Sequence, residues 1–272
     1  MLRIRLAVIL LLVPFGFWVI ATGGWLYCLV ITAMMAQAAS EFAGLFMNRG
    51  HRPSRALMVA GVVLLVLSRF LFGFEYSALL LSILLLVSMA WHELDFERGA
   101  HQSATDFAIT LTGILYIGWL GAYLISLRQV EHGTWWLLLM FVGIWLADGA
   151  AYLIGSRCGR HKISKRLSPN KSWEGYLGGA VVGALGSMGF APLWAMGAGA
   201  GSGIDLQAGL IMGFVVSLIA PLGDFGVSMF KREVSAKDSS HLLPGHGGML
   251  DRVDSWLWSA VIAYYLVPLL AA

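Results

Sequence analysis

Unbroken apolar stretches, each about as long as a membrane is thick, recur from one end of this chain to the other. A helix needs about 20 apolar residues to cross a bilayer, and segments 6–20, 25–46, 56–72, 77–91, 107–127, 135–154, 175–196, 206–222 and 255–270 all approach that length. Inside hydrocarbon every backbone polar group must be satisfied within the protein, which makes helices the expected form for such runs. No polar stretch between them is long enough to fold alone. The expectation is an all-α, polytopic integral membrane helix bundle of about nine transmembrane helices, one membrane-embedded domain over 1–272. Residues 1–134 hold spans of generic apolar character; 135–272 hold the spans and loops that carry chemistry. Composition agrees, with 12% charged residues against about 25% in soluble domains.

The opening "MLRIRLAVILLLVPFGFWVIATGG" has the two arginines and apolar core of a signal peptide, but its cleavage site is weak and another apolar run follows at once. It is expected to remain as a first span. With the N-terminus in the cytoplasm, every Lys and Arg except Arg69 and Arg128 falls in an inside stretch. The reverse orientation would put them on the wrong side, so the topology is expected to be N-in, C-out, multi-pass in the cytoplasmic (inner) membrane. The net charge of +3 then reflects topology and contact with membrane lipids, and no nucleic-acid partner is implied. Cys28 and Cys158 lie in unlike contexts, with neither a disulfide nor a metal-ligand spacing. Gly175, Gly179 and Gly183 form a smooth stripe that fits packing within the bundle or a homodimer seam.

Three carboxylates stand within or at the end of apolar spans: Glu41, Asp148 and Asp224. Each costs about 2.5–3.5 kcal/mol at a helix centre and needs a compensating role. Glu41 is near the end of its span and either reaches the headgroups or has a function. Asp148, in "GIWLADGAAYLIG", is satisfied by a neighbouring hydroxyl or takes part in metal or proton chemistry. Asp224 follows Pro221 and Gly223 in "APLGDFGVSMFKR", which predicts a helix broken where it lines a polar cavity. If helix resumes there, Asp224, Ser228 and Lys231 share a face, as do Asp251 and Asp254 at the start of the last span. Between the clusters lies "GRHKISKRLSPNKSWEG", where Ser172 and Glu174 are placed to cap the next helix. Lys171 just before that helix would meet an anion together with its amides and dipole.

Carboxylates that need cations and Lys and Arg that need anions, gathered at one membrane boundary, are jointly satisfied by a metal–polyphosphate complex. No P-loop pattern occurs, nor H-E-x-x-H or G-x-S-x-G, which lowers the case for nucleotide-binding P-loop, zinc hydrolase and serine acyl chemistry. His246, before Gly247 and Gly248, is either a base or a turn histidine that fixes its loop.

The stretch ending in "KREVSAKDSSHLLPGHGGMLDRVD" resembles the signature of the CDP-diacylglycerol synthase, or phosphatidate cytidylyltransferase, family. Ser228, Lys231, Arg232, Lys237, Asp238, His246, Gly247, Gly248, Asp251, Arg252 and Asp254 occupy its fixed positions. The upstream "SPNKSWEG" is similar to the family's "SPKKTWEG", with Asn170 in place of a lysine and Ser172 of a threonine. The resemblance covers the chain from about Trp145 onward; the first five spans match only as apolar helices. It implies that CTP and phosphatidate give CDP-diacylglycerol and pyrophosphate with Mg²⁺, one ion or two. On that resemblance Asp224, Asp251 and Asp148 are assigned to the metal. Lys171, Ser172, Lys231, Arg232, Lys237 and Arg252 go to the substrate phosphates, and Asp238, His246 and Asp254 to shaping the loop or orienting ligands. The nearest rival is another CTP-using lipid enzyme, such as a lipid-alcohol kinase, which would release CDP instead of pyrophosphate. A transporter would place its acids near the midplane in matching halves, which this sequence does not do.

Overall fold

The computed structural model describes residues 13–240 and 247–271. Among the described residues the helices are α1 (Val13–Thr22), α2 (Gly24–Met47), α3 (Arg55–Phe72), α4 (Ser77–Glu97) and α5 (Ser103–Gln129). They continue as α6 (Gly133–Cys158), α7 (Trp173–Ala198), α8 (Leu206–Glu233) and α9 (Leu250–Leu270). All but α1 are long and apolar enough to cross a membrane, so the chain is a multi-pass, predominantly helical membrane protein. The expected first span, 6–20, lies partly outside the described residues. The others appear where apolar sequence placed them, several of them longer at one or both ends.

Two features depart from the sequence-based expectation. The basic loop after α6 contains a small antiparallel hairpin, β1 (Lys162–Ser164) and β2 (Ser168–Ser172), with Lys162 opposite Ser172 and Ser164 opposite Ser168. Its backbone groups pair with each other, and Ser164 Oγ accepts from the Leu167 amide in the turn at 3.1 Å. The break expected at Pro221 and Gly223 is absent: α8 runs through both. Tyr176 supports that region by donating its hydroxyl to the Leu218 carbonyl at 2.7 Å.

Contacts divide the chain into two compact units, Met1–Ser126 with Glu233–Val253, and Leu127–Arg232 with Asp254–Ala272. In the first, Tyr27 of α2 donates to the Leu124 carbonyl of α5 at 3.0 Å. Helix α4 leaves Leu79, Leu86, Leu94 and Phe96 exposed, an outer face suited to lipid. Within α5, Ile114–Trp119 forms a wider π-helical turn. Arg69, only 2% exposed, shows how a cation survives in a span. Its guanidinium lies 3.6 Å from the Phe74 ring centre, 4.7 Å from Trp119 and 5.0 Å from Tyr123, and it donates to Ser126 Oγ at 3.0 Å. Ring faces and a hydroxyl replace the water the charge has lost.

The second unit is built on backbone-to-backbone approach. A Cβ added at Gly175 would lie 2.6 Å from the Ala151 carbonyl, at Gly179 2.7 Å from that of Ala147, and at Gly183 2.9 Å from that of Gly143. Steps of four up α7 thus match steps of four down α6, so the stripe is used within the chain. Small residues let helices gain dispersion contacts where lipid removes most of the hydrophobic drive to associate. Replacing Gly179 by Leu should therefore lower thermal stability in detergent, by about 1–3 kcal/mol or more. Gly189→Ala, with nothing within 4 Å of the new carbon, should leave it unchanged; equal melting for both variants would contradict this packing.

Candidate active site

The second unit contains a cavity of about 600 Å³ between the end of α6, the hairpin, the start of α7 and α8, with Asp148, Lys162, Asn170, Lys171, Ser172 and Phe225 among its walls. That volume is in the range of small-molecule sites. Local sequence explains its rim. Ser172 is the N-cap of α7 and accepts from the Gly175 amide at 3.2 Å, as its position before the helix leads one to expect. Glu174 accepts from its own amide in the first turn of α7, in keeping with the capping expected of it, and does a second job as well. Its carboxylate accepts from the Arg160 amide at 3.1 Å, the His161 amide at 3.1 Å and the His161 ring at 2.6 Å, tying the entry of the hairpin to the first turn of α7.

Lys171 reaches from the end of β2 and donates to Asp224 Oδ2, with its ammonium 4.7 Å from the Phe225 ring centre. Ser228, one turn on, donates to Asp224 Oδ1 at 3.3 Å, so the shared face expected of Asp224, Ser228 and Lys231 is real. Asp254, 6% exposed, accepts from the Ser255 amide at 2.6 Å and lies within electrostatic reach of Asp224 and Lys231. Gly223 makes that possible. A Cβ there would overlap the Asp254 carbonyl and come within 3.0 Å of Trp258, so the glycine permits a close helix crossing without breaking α8. Arg232 turns to the hairpin, its Nε donating to the Leu167 carbonyl at 3.4 Å.

The remaining signature residues belong to the first unit. Asp251 Oδ2 accepts from the Ser239 amide at 2.8 Å and the Gly248 amide at 3.1 Å, and Ser239 Oγ lies 2.9 Å away. Lys237, Asp238 and Arg252 are exposed. Buried Glu41, whose role the sequence left open, meets Ser239, Ser240 and the start of α9. His246 lies outside the described residues. Among the described residues no three His, Cys, Asp or Glu side chains form a group able to hold a metal ion by themselves.

A lysine–carboxylate pair, Lys171 with Asp224, thus stands at the wall of a cavity carried by membrane-spanning helices. The chain belongs to the Cytidylyltransferase family, whose model matches residues 2–270. Family character therefore extends through the first five spans, which by motif alone looked generic. The chain is 29% identical over 298 residues to the phosphatidate cytidylyltransferase of Synechocystis sp., covering 95% of this chain and 94% of that protein. It is 39% identical over 153 residues to that of Brucella suis, covering 56% and 54%, and 36% identical over 162 residues to that of Bacillus subtilis, covering 59% and 58%.

The Glu174 staple has a direct consequence. In Glu174→Ala, limited trypsin digestion should cut faster within 160–166 than in the parent, while the spans stay protected. An unchanged rate would show that the hairpin is held by other means.

Proposed function

We propose that this protein is a phosphatidate cytidylyltransferase, and that its cavity and signature residues carry the reaction at the cytoplasmic side of the inner membrane. A phosphate oxygen of phosphatidate attacks the α-phosphorus of CTP; the bond between the α-phosphorus and its bridging oxygen to the β-phosphorus breaks, and CDP-diacylglycerol and pyrophosphate form. The nucleophile is already an anion, so no strong base is required. The barrier lies in bringing two anions together and in the charge that develops on the leaving group, and fixed positive charge lowers both. The Lys171–Asp224 pair, whose lysine lines the cavity, carries this reading. An ammonium and a carboxylate side by side are the charges that a triphosphate and its counter-cation could each replace, which supports this reading.

Lys171, Lys231, Arg232, Lys237 and Arg252 are assigned to the phosphates of CTP and phosphatidate, and Ser172 to the rim that orients them. Mg²⁺ commonly takes only one or two carboxylates and completes its shell with water and substrate phosphates. The residues here fit that demand. Asp224 already holds a cation, the Lys171 ammonium; Asp254 lies in its electrostatic reach; and Asp148 lines the cavity. Asp251 is assigned to the metal on the family signature alone. Bound there, the metal would supply charge neutralisation on the phosphates. Asp238 and His246 are assigned to shaping the loop. Nine spans with N-in, C-out orientation are supported by the distribution of Lys and Arg along the chain.

Purified protein with Mg²⁺, CTP labelled at the α-phosphate and phosphatidate should give a labelled lipid and one pyrophosphate per turnover. Release of CDP with γ-phosphate transfer would instead identify a lipid kinase. Chelation by EDTA should abolish turnover, and Asp224→Asn should lower it about 100-fold or more while insertion is retained. Wild-type rates in either case would remove the metal or Asp224 from the reaction.

A further inference from the structure

Helix α2 lies far in sequence from the signature, yet Glu41 on it is 6% exposed and surrounded by donors from the signature loop. Oε1 accepts from the Ser240 hydroxyl at 2.7 Å, the Met249 amide at 3.0 Å and the Gln37 side chain at 3.1 Å. Oε2 accepts from the Leu250 amide at 2.9 Å. Ser239 Oγ stands 2.9 Å from both Glu41 Oε2 and Asp251 Oδ2, and its single proton can serve only one of them at a time.

Leu250 is the first residue of α9 and Met249 the residue just before it, and the first amides of a helix have no partner within it. Glu41 supplies those partners from another helix, adding a full negative charge at the positive end of the α9 dipole. The carboxylate also accounts for a glycine of the signature. A Cβ at Gly248 would overlap Glu41 Oε2 and Ser239 Oγ and lie 2.8 Å from Glu41 Cδ, so no larger residue fits while Glu41 is in place. The neighbouring Gly247 has φ +76° and would put a Cβ 2.8 Å from Asp251 Oδ2. Two adjacent glycines therefore admit two carboxylates, one from α2 and one from α9.

We infer that Glu41 is a positioning residue for cytidylyl transfer: it caps α9 from outside and thereby sets where Asp251 and the Lys237–Ser240 segment stand. It acts through these groups and has no assigned contact with substrate. A carboxylate is needed because all five neighbours are donors. A Gln amide would turn an NH₂ group toward a backbone N–H, leaving a buried donor without its acceptor. The inference rests on the proposed reaction for its kinetic consequence, though the cap itself can be read without turnover.

The test uses the full-length protein in detergent or vesicles, with Glu41→Gln, Glu41→Ala, Gly248→Ala and the Glu41→Ala/Gly248→Ala double variant. Glu41→Gln should lower kcat about 10- to 100-fold, the range typical of residues that orient a reacting group, with KM for CTP nearly unchanged and the protein folded at the assay temperature. Glu41→Ala and Gly248→Ala break the same contact, so the double variant should lose no more than the worse single one. Hydrogen exchange at the Met249 and Leu250 amides should speed up in Glu41→Ala. Wild-type kcat in Glu41→Gln, losses that multiply in the double variant, or unchanged exchange would each overturn the inference. An inactive parent protein would sink the proposed reaction while the exchange data still decided the cap.

Discussion

A charge carried into an apolar helix must find its partner within the protein, and this requirement organises every polar feature described above. The energetic penalty of an unpartnered carboxylate at membrane depth is several kcal/mol, comparable with the net stability of many domains. Each such group accordingly meets a specific neighbour. Asp224 has Lys171 and Ser228, Glu41 has amides and hydroxyls, and Arg69 has three ring faces and a hydroxyl. The last of these shows a buried cation held by aromatic rings and a hydroxyl. The first is the pair to which the proposed reaction assigns phosphate and metal, and the second is the cap proposed to position the signature loop.

Close approach is what makes such partnering achievable. Lipid gives helices little reason to associate, so contact depends on how near their backbones can come. Glycine serves this end at Gly175, Gly179 and Gly183, where α6 carbonyls pack against α7, and at Gly223, where the Asp254 carbonyl does so. The Gly223 crossing brings a second acid beside the first. The same logic at Gly248 admits the Glu41 carboxylate. A bulky substitution at Gly223 would therefore disturb both the helix crossing and the approach of the two acids.

Most spans were legible because apolar length is a strong and local signal, and the Ser172 cap was legible because N-cap chemistry acts over three residues. Pro221 and Gly223 misled because their local preference is to interrupt a helix, whereas in a packed membrane helix neighbouring groups can support the backbone. Nothing near Gly223 in the sequence announces Asp254. The signature named Asp254 without placing it beside Asp224. Glu41 illustrates the limit most sharply: its partner Ser239 is 198 residues away, so its misfit in an apolar span was visible but its purpose was not. Glu174 was legible as a first-turn acid of α7, but its staple to the preceding hairpin was not, since the hairpin itself left no sequence signal.

Fixed positive charge at the cavity wall is the heart of this account, and equilibrium binding separates it from every alternative based on shape or packing. CTP and plain cytidine should be titrated in turn against the parent protein and Lys171→Met, without phosphatidate. A charge-assisted contact is worth about 1.5–3 kcal/mol, so CTP affinity should fall about 10- to 100-fold while cytidine affinity stays the same. Equal CTP affinity in the two proteins, or an equal loss for CTP and cytidine, would contradict a phosphate-binding role for this lysine and with it the electrostatic basis of the proposed reaction.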